Sequence, residues 1–493
     1  MRLSELARGL PGLSGDLGAD PEVSGVRHDS RRIARGDLFV AWKGERHDGA
    51  RFAADAVERG AVAVVCDRAR PEGWTAEAPW LETESPRRCL GPLAATLHDH
   101  PDRKLTTVGV TGTNGKSTTV ELVAAMLDSA GRPAGRVGTL GYRFPGLIAP
   151  EAERTTPEAS DLIDLLARMR ELGAEAVALE VSSHALAQGR VEGLAFDVAV
   201  FLNLTRDHLD FHAGFEDYYA AKSSLFDRLK PGGRAVVGVD DEHGRRLATE
   251  RPGALTFGAS AAVSPARVEL DERGLRGAID TPRGRLEIES PLLGRYNLLN
   301  LLAAVAVAEA LELEPEAIRA GAAATRPLAG RMEPVEAGQD FPALVDYAHT
   351  DAALEAAIRA LRELSGRRIV VVFGCGGDRD PGKRPLMGRV AGALAEQPIA
   401  TSDNPRSEDP QAILSAVEEG LRASGNTSYR VVPDRREAIR RAVAIASQGN
   451  WAVLVAGKGH EREQIVGSER LPFSDREVLA EAITERLAAG SGV

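Results

Sequence analysis

The chain has 493 residues, of which 43% are hydrophobic, and it carries a formal net charge of −11. At roughly 150 residues per domain, this length accommodates about three domains with sizeable cores and excludes a disordered polyelectrolyte. The acidic balance argues against a protein that coats nucleic acid, which needs a basic footprint, and no apolar run approaches the ~18 residues of a membrane helix.

The opening segment, MRLSELARGLPGLSGDLGAD, lacks the apolar centre of a secretory signal. Strand-like runs then recur between Ala- and Leu-rich helical stretches: Ala61 to Cys66, Lys104 to Val110, Ala176 to Val181, Ile369 to Gly374 and Trp451 to Gly457. Short β-branched runs followed by helical patterns predict buried parallel strands of an α/β protein. Polar breaks at His98 to Lys104 and at Arg326 to Gly338 place expected domains at 1–103, 104–332 and 333–493. Cys66, Cys89 and Cys375 are widely spaced with no CxxC. That pattern fits a reducing cytoplasm better than a disulfide framework or a structural zinc site.

The run VGVTGTNGKSTTVELVAAMLDSAG carries the strongest signal. A strand ending near Val110, a tight turn and a helix starting near Lys116 are predicted. Backbone N–H groups of Gly112, Thr113, Asn114 and Gly115, with those of the helix start at Lys116, Ser117 and Thr118, form a cradle for phosphate oxygens. Lys116 would reach the β- and γ-phosphates, and the Ser117 hydroxyl would hold Mg²⁺. The loop is shorter than the usual phosphate motif, because Val110 stands where that motif has its first glycine.

Further along, Glu180 ends a predicted strand, as a magnesium carboxylate does in an α/β nucleotide site. His208 follows a second strand in NLTRDHLD, and Lys222 sits in YYAAKSSLF on a predicted helix. His208 and His212 are four apart, but no Glu follows the first, so a zinc-peptidase reading fails. Asn297 and Asn300 share one helix face, with capping by Asn297 an equal alternative. The tetrad Asp403-Asn404-Pro405-Arg406, read alone, is a turn with a helix cap, and the loop holding Arg379 suits any anion. Only seven of the 61 basic residues are lysine. Four of these, Lys116, Lys222, Lys383 and Lys458, fall inside motifs; Lys43, Lys104 and Lys230 read as surface residues.

GTNGKST resembles the ATP loop of the Mur ligase family, ATP-dependent amide ligases of peptidoglycan precursor synthesis, and matching motifs extend over nearly the whole chain. The resemblance implies an N-terminal UDP-binding α/β domain, a central P-loop ATPase domain with a mainly parallel sheet, and a C-terminal Rossmann-like domain. It implies ATP and Mg²⁺ as cofactors, with Glu180, His208 and a carbamylated Lys222 joining Ser117 at the metals. Asn297, Asn300, Arg331 and Asp346 fall at nucleotide positions. Ser30, in the DSR…GDLFVA…DG pattern, and Thr155, Thr156, Ser182, Gln188 and Arg190 fall at positions for the UDP-sugar peptide. Arg154 replaces an Asn found in some relatives, and the Glu45-Arg46-His47 loop is matched by position only. In the diaminopimelate-adding branch, Asp403, Asn404, Pro405 and Arg406 recognise the amine substrate, with Arg379, Gly457 and Glu461 completing the pocket. Arg406 can grip the second carboxylate of diaminopimelate in bidentate fashion, which lysine as a substrate lacks.

The resemblance thus implies ligation of meso-diaminopimelate to UDP-N-acetylmuramoyl-L-alanyl-D-glutamate through an acyl phosphate, by a cytoplasmic monomer with no nucleic-acid or membrane partner. Alternatives are a lysine-adding or folylpolyglutamate-type ligase of the same family, and, from the loop alone, a P-loop regulatory ATPase.

Overall fold

A computed structural model describes residues 1–8, 10, 12–44, 47–72, 74, 76–148, 154–271 and 273–490. The chain divides into two compact units. The first comprises residues 1–111, 127–201 and 220–236; the second comprises 112–126, 202–219 and 237–493.

The first unit holds two sheets. In the N-terminal sheet, Gly25–Arg27, Asp37–Val40, Ala63–Cys66 and Trp80–Glu82 run parallel, and the short Ser14–Asp16 closes one edge antiparallel. Phe39, Val64, Cys66 and Trp80 pack with Ala53 and Ala56 from the neighbouring helix. The second sheet places Phe196–Phe201, Thr106–Thr111, Ala176–Glu180 and Ala134–Gly138 side by side and parallel, with Gly141–Arg143 antiparallel at the edge. Its register sets Val110 opposite Glu180 and Thr111 opposite Phe201, so three strands finish level. Parallel strands need crossover connections, and helices such as Ala159–Glu171 supply them.

The second unit contains a six-stranded sheet. Ala343–Asp346, Trp451–Ala456, Arg368–Phe373, Gln397–Ala400 and Arg430–Val431 are parallel, and Glu333–Pro334 is an antiparallel edge. Ile369, Val371 and Phe373 enter one buried cluster, while Val370 and Val372 enter another. Both faces are therefore covered, which explains why these strands read as continuous apolar runs rather than alternating ones. A three-stranded antiparallel sheet spans Ser264–Asp271, Gly274–Thr281 and Gly284–Ser290, and Glu463–Val466 pairs with Glu469–Pro472 as a hairpin.

All five strands expected from sequence are present, with ends shifted by one or two residues: Ala63–Cys66, Thr106–Thr111, Ala176–Glu180, Arg368–Phe373 and Trp451–Ala456. Lys230 is not the surface lysine the sequence suggested. Its ammonium donates to Asp102 O (2.6 Å) and Leu105 O (3.1 Å) and pairs with Asp197 (2.7 Å), tying strand starts together inside the first unit.

Candidate active site

The phosphate loop follows the strand Thr106–Thr111 and leads into the helix Lys116–Ser129, as its sequence predicts. Within the second unit, the loop is clamped by the segment after Phe201. The Thr113 amide donates to Asn203 O (3.0 Å) and the Asn114 amide to Asn203 Oδ1 (2.9 Å); Asn203 Nδ2 returns a bond to Asn114 O (3.1 Å). The Thr113 hydroxyl accepts from the Thr205 amide (3.0 Å) and lies 3.1 Å from the Tyr218 hydroxyl. Lys116 Nζ donates to the carbonyls of Gly112 (2.9 Å) and Thr113 (2.8 Å). The lysine read from sequence as a phosphate ligand thus braces its own loop here.

Asn300 and Asn297 lie on the buried face of the helix Arg295–Ala310. Asn300 Nδ2 donates to Asn297 Oδ1 (2.9 Å), and Asn297 Nδ2 donates to Leu293 O (2.8 Å). Gly294, not Asn297, occupies the cap position, so the capping alternative is set aside. Asn300 Oδ1 sits where a Cβ on Gly115 would fall, and Gly115 has φ +91°. Glycine is required there twice over, for the left-handed backbone and for the approach of the Asn300 amide.

Arg331 reaches towards Ser117, with Nη2 3.5 Å from Oγ, and its guanidinium lies 4.7 Å over the Tyr347 ring. Asp346 is buried at the end of the strand Ala343–Asp346 and accepts from the amides of Met332 (2.7 Å) and Ala348 (2.8 Å). Burial pushes its carboxyl above the ordinary range, against the pull of Arg331 and those amides. Asp207 behaves oppositely. Burial would raise it, yet His349, His208 and Lys383 hold it well below the usual carboxylate range. His208 itself has φ +55° and is 3.4 Å from Asp207. The adjacent Arg206 pairs with Asp380 at 2.9 Å. His212, left unassigned from sequence, is buried and hydrogen bonded to Asp217 (3.0 Å).

In the first unit, Glu180 is 2% exposed. It accepts from the Thr139 amide (2.9 Å) and hydroxyl (3.2 Å), and the same hydroxyl lies 2.9 Å from Thr155 Oγ1. Thr156 Oγ1 donates to Glu180 O (2.8 Å) and accepts from the Ser182 amide (3.2 Å). Ser182 in turn caps the short helix Ser183–Ala187. Nearby, Glu158 receives Arg87 (2.9 Å), Arg190 (3.1 Å) and Arg154. Gln188 Oε1 accepts from Arg87 (2.9 Å) and Arg190 (2.6 Å). Three guanidiniums around one carboxylate leave a positive face suited to an anionic ligand, and burial pushes the Arg190 guanidinium down to about 10. Neither Arg87 nor Glu158 stands out in the sequence, because the pairing joins residues 71 positions apart. Ser30 is buried in the turn Ser30–Arg32, which Asp29 caps. Lys222 is 1% exposed, near the end of the helix Phe215–Ser223. Glu45 and Arg46 lie outside the described residues.

The C-terminal tetrad follows the strand Gln397–Ala400 in the second unit. Arg406, half-buried at φ +52°, donates Nη1 to Gly377 O (2.7 Å) and is tied through its backbone to the hairpin at Ile465 and Gly467. Arg379 is exposed. The cost of burial and the repulsion of Arg379 lower the affinity of the Arg406 guanidinium for its proton, the electrostatic signature of a place that wants an anion. Asn404 Nδ2 donates to Glu461 Oε2 (2.8 Å), and Lys458 Nζ reaches both Asn404 Oδ1 (3.0 Å) and Glu461 Oε2 (2.9 Å). Asp403 is buried, and a Cβ on Gly457 (φ +118°) would sit 2.7 Å from its Oδ2. Behind it, Arg435 and Asp475 form a fully buried bidentate pair at 2.7 Å. The tetrad is therefore more than a turn: it brings a guanidinium and a carboxylate to one loop cluster.

Among the described residues, no group of three or more His, Cys, Asp or Glu is arranged to hold a metal. The donors singled out from sequence are a hydroxyl, a carboxylate, an imidazole and an amine that becomes an oxygen ligand only when carbamylated. The buried Glu180 carboxylate and the Ser117 hydroxyl are hard oxygen donors of the kind Mg²⁺ prefers, and Mg²⁺ commonly completes its shell with phosphate and water oxygens.

A Gly-rich loop between a buried strand and a helix, Arg331 beside Ser117 and a charged loop cluster after a strand end are features of a nucleotide-using α/β enzyme. Family models match three segments: a Mur ligase family catalytic domain at residues 22–98, a Mur ligase middle domain at 110–308, and a Mur ligase glutamate ligase domain at 330–459. The chain belongs to the Mur ligase family, and its architecture is that of three Mur ligase domains. It is 44% identical over 473 residues to a Solibacter usitatus protein named UDP-N-acetylmuramoyl-L-alanyl-D-glutamate–2,6-diaminopimelate ligase, covering 94% of each chain. A Streptomyces coelicolor protein of the same name is 45% identical over 492 residues, covering 98% of this chain and 96% of that one. A solved structure of a ligase of that name matches with a TM-score of 0.65 at 33% identity, over 94% of this chain and 95% of that one. MurF from Acinetobacter baumannii shares the fold, with a TM-score of 0.71 at 22% identity, over 98% of each chain. No helix among the described residues is long and apolar enough to cross a membrane.

Substituting Gly115→Ala is expected to weaken ATP binding at least ~10-fold, about 1.4 kcal/mol, because a β-carbon strains the backbone and displaces Asn300. Titration calorimetry with a non-hydrolysable ATP analogue, alongside circular dichroism to verify folding, checks this; unchanged affinity would contradict the assigned role of the loop.

Proposed function

We propose that this chain joins meso-diaminopimelate to UDP-N-acetylmuramoyl-L-alanyl-D-glutamate at the expense of ATP. The observation that carries the reading is the C-terminal loop cluster, where Arg406 and Glu461 offer opposite charges on one framework. Diaminopimelate ends in a second amino-acid centre, a carboxylate beside an ammonium, and such a zwitterion is complementary to that pair. Lysine would satisfy the carboxylate side chain and leave Arg406 without an anion. Sites built around buried polar partners reject analogues lacking the matching group.

The chemistry is two displacements. A γ-carboxylate oxygen of the D-glutamyl acceptor attacks the γ-phosphorus of ATP, forming an acyl phosphate and releasing ADP. The neutral amine of diaminopimelate then attacks the acyl carbon. The tetrahedral intermediate loses a proton from nitrogen and expels phosphate, leaving the amide. Ser30, Thr155, Thr156, Ser182, Gln188 and Arg190 hold the UDP-sugar peptide, with the three guanidiniums around Glu158 facing its negative charge. Arg154, in place of the Asn of some relatives, joins that cluster. The loop from Gly112 to Thr118 holds the triphosphate, Asn297, Asn300 and Asp346 frame the nucleotide, and Arg331 and Lys116 supply fixed positive charge where phosphoryl transfer spreads negative charge. Asp403, Asn404, Pro405, Arg406, Arg379, Gly457 and Glu461 orient the amine substrate, and much of the rate gain comes from that positioning.

Ser117, Glu180, His208 and Lys222 as its carbamate would hold Mg²⁺, whose charge offsets that of the phosphates. Only a neutral amine adds to CO₂, so arginine cannot take the place of Lys222. Domains at 1–103, 104–332 and 333–493, action as a monomer and a cytoplasmic location complete the reading.

Product formation from ATP and the UDP-muramoyl dipeptide, measured with meso-diaminopimelate, with L-lysine and with no amine, tests this directly. The expected result is product with diaminopimelate and at least ~100-fold lower kcat/KM with lysine. Equal use of lysine would overturn the specificity, and phosphate release indifferent to acceptor and amine would overturn the ligase reading. Lys222→Arg is expected to lose at least ~100-fold in kcat, while Lys222→Ala regains part of its activity with added short carboxylates; full activity of the arginine variant would refute the carbamate.

A further inference from the structure

We propose that Lys458 is a positioning residue of the amine pocket: its ammonium locks the Asn404 amide and the Glu461 carboxylate in the orientation that receives the second amino-acid centre of the substrate. The proposal rests on the reading above, that this loop cluster takes diaminopimelate.

Lys458 is 0% exposed, follows the strand Trp451–Ala456 by two residues and has its charge balanced locally. Burying an ammonium is costly unless it is paired and hydrogen bonded. Here it donates to Asn404 Oδ1 at 3.0 Å and to Glu461 Oε2 at 2.9 Å. An asparagine amide can turn over and exchange its oxygen for its nitrogen, and only its partners decide which way it faces. For Asn404 the partners are unambiguous. Oδ1 receives two donors, Lys458 Nζ and the Ile465 amide (2.9 Å), while Nδ2 faces the acceptor Glu461 Oε2 (2.8 Å). An ammonium has no acceptor capacity, so a reversed amide would set Nδ2 against it. Lys458 thereby fixes the direction of the amide.

The carboxylate is fixed by the same contacts. Both protein donors, Lys458 and Asn404, fall on Oε2, and Oε1 receives none among the described residues. One oxygen is consumed in anchoring and the other is left for a ligand ammonium. The side chain of Glu461 remains 31% exposed, so a ligand can reach it, whereas the lysine behind it is sealed. Lys458 also joins Arg435 in holding the buried Asp403 carboxyl below its ordinary range, against the effect of burial. Arginine is a poor substitute: its planar fork is larger than a point-like ammonium, and no solvent-exposed space is left at this position. This accounts for a lysine in a chain that otherwise uses arginine almost throughout.

The test uses the full-length enzyme with Lys458→Met and Lys458→Arg, varying each of the three substrates in turn. Both variants are expected to raise KM for meso-diaminopimelate at least ~20-fold, to leave KM for ATP and for the UDP-muramoyl dipeptide within ~2-fold, and to narrow the preference over L-lysine ~10-fold. The double variant Lys458→Met/Glu461→Gln is expected to be no worse than Glu461→Gln alone, because both act through one carboxylate. An unchanged KM for diaminopimelate, additive effects in the double variant, or equal increases in all three KM values would overturn the proposal, the last by revealing a merely structural role. Should neither variant fold, wild-type enzyme labelled at lysine nitrogen decides. With only seven lysines, a slowly exchanging ammonium resonance that moves on adding meso-diaminopimelate supports the proposal, and no such movement contradicts it. A wild-type enzyme that makes no product with diaminopimelate overturns the pocket reading itself, and the proposal with it.

Discussion

Parallel strands buried on both faces are the constraint on which the molecule depends. A strand covered by helices on each side can expose chemistry only at its ends, and the carboxyl end is where the next loop begins. In the first unit, Thr106–Thr111, Ala176–Glu180 and Phe196–Phe201 finish level through their register. From those ends the chain continues into the Gly112 loop, delivers Glu180, and enters the segment holding Asn203 and His208. The second unit repeats the device. Ala343–Asp346 ends on Asp346, Gln397–Ala400 leads to the Asp403 tetrad, and Trp451–Ala456 leads to Gly457 and Lys458.

Burial on this scale makes charge placement strict. Arg435 and Asp475 are completely enclosed and satisfy each other in bidentate fashion, with the Ala456 carbonyl taking a further donor. Breaking such a pair would leave a naked buried charge, whereas the intact pair mainly fixes geometry. The strand end that carries Gly457 is thus held from behind while its front face stays polar. Glu158 plays the converse part in the first unit, gathering Arg87, Arg190 and Arg154 so that their charges point to one place without collapsing onto separate carboxylates.

Much of this was legible in the sequence, for local reasons. Strands such as IVVVFG announce themselves by composition, and GTNGKS combines turn-forming glycines with a helix start in six residues. What escaped depends on partners far apart in the chain. Asn203 clamps a loop 89 residues upstream, and nothing in LNLT distinguishes it except its place after a strand. Lys116 has the expected position, but its bonds to Gly112 and Thr113 carbonyls depend on a loop geometry that spacing does not report. Lys230 was indistinguishable from a surface lysine until the acceptors at Asp102, Leu105 and Asp197 converged on it. Lysine scarcity was a useful pointer, since Lys222, Lys383 and Lys458 are all buried. It gave no hint of what each amine touches.

On the proposed function, the Arg406 guanidinium, held in the C-terminal loop cluster by Gly377 O, selects an amine substrate bearing a second carboxylate. The most direct measurement is the ratio of kcat/KM for meso-diaminopimelate over L-lysine, compared between the wild-type enzyme and Arg406→Met. Removing the guanidinium abolishes both its grip on the carboxylate and its penalty when lysine leaves it unpaired, so the ratio is expected to fall at least ~100-fold. A ratio unchanged by the substitution would contradict the account.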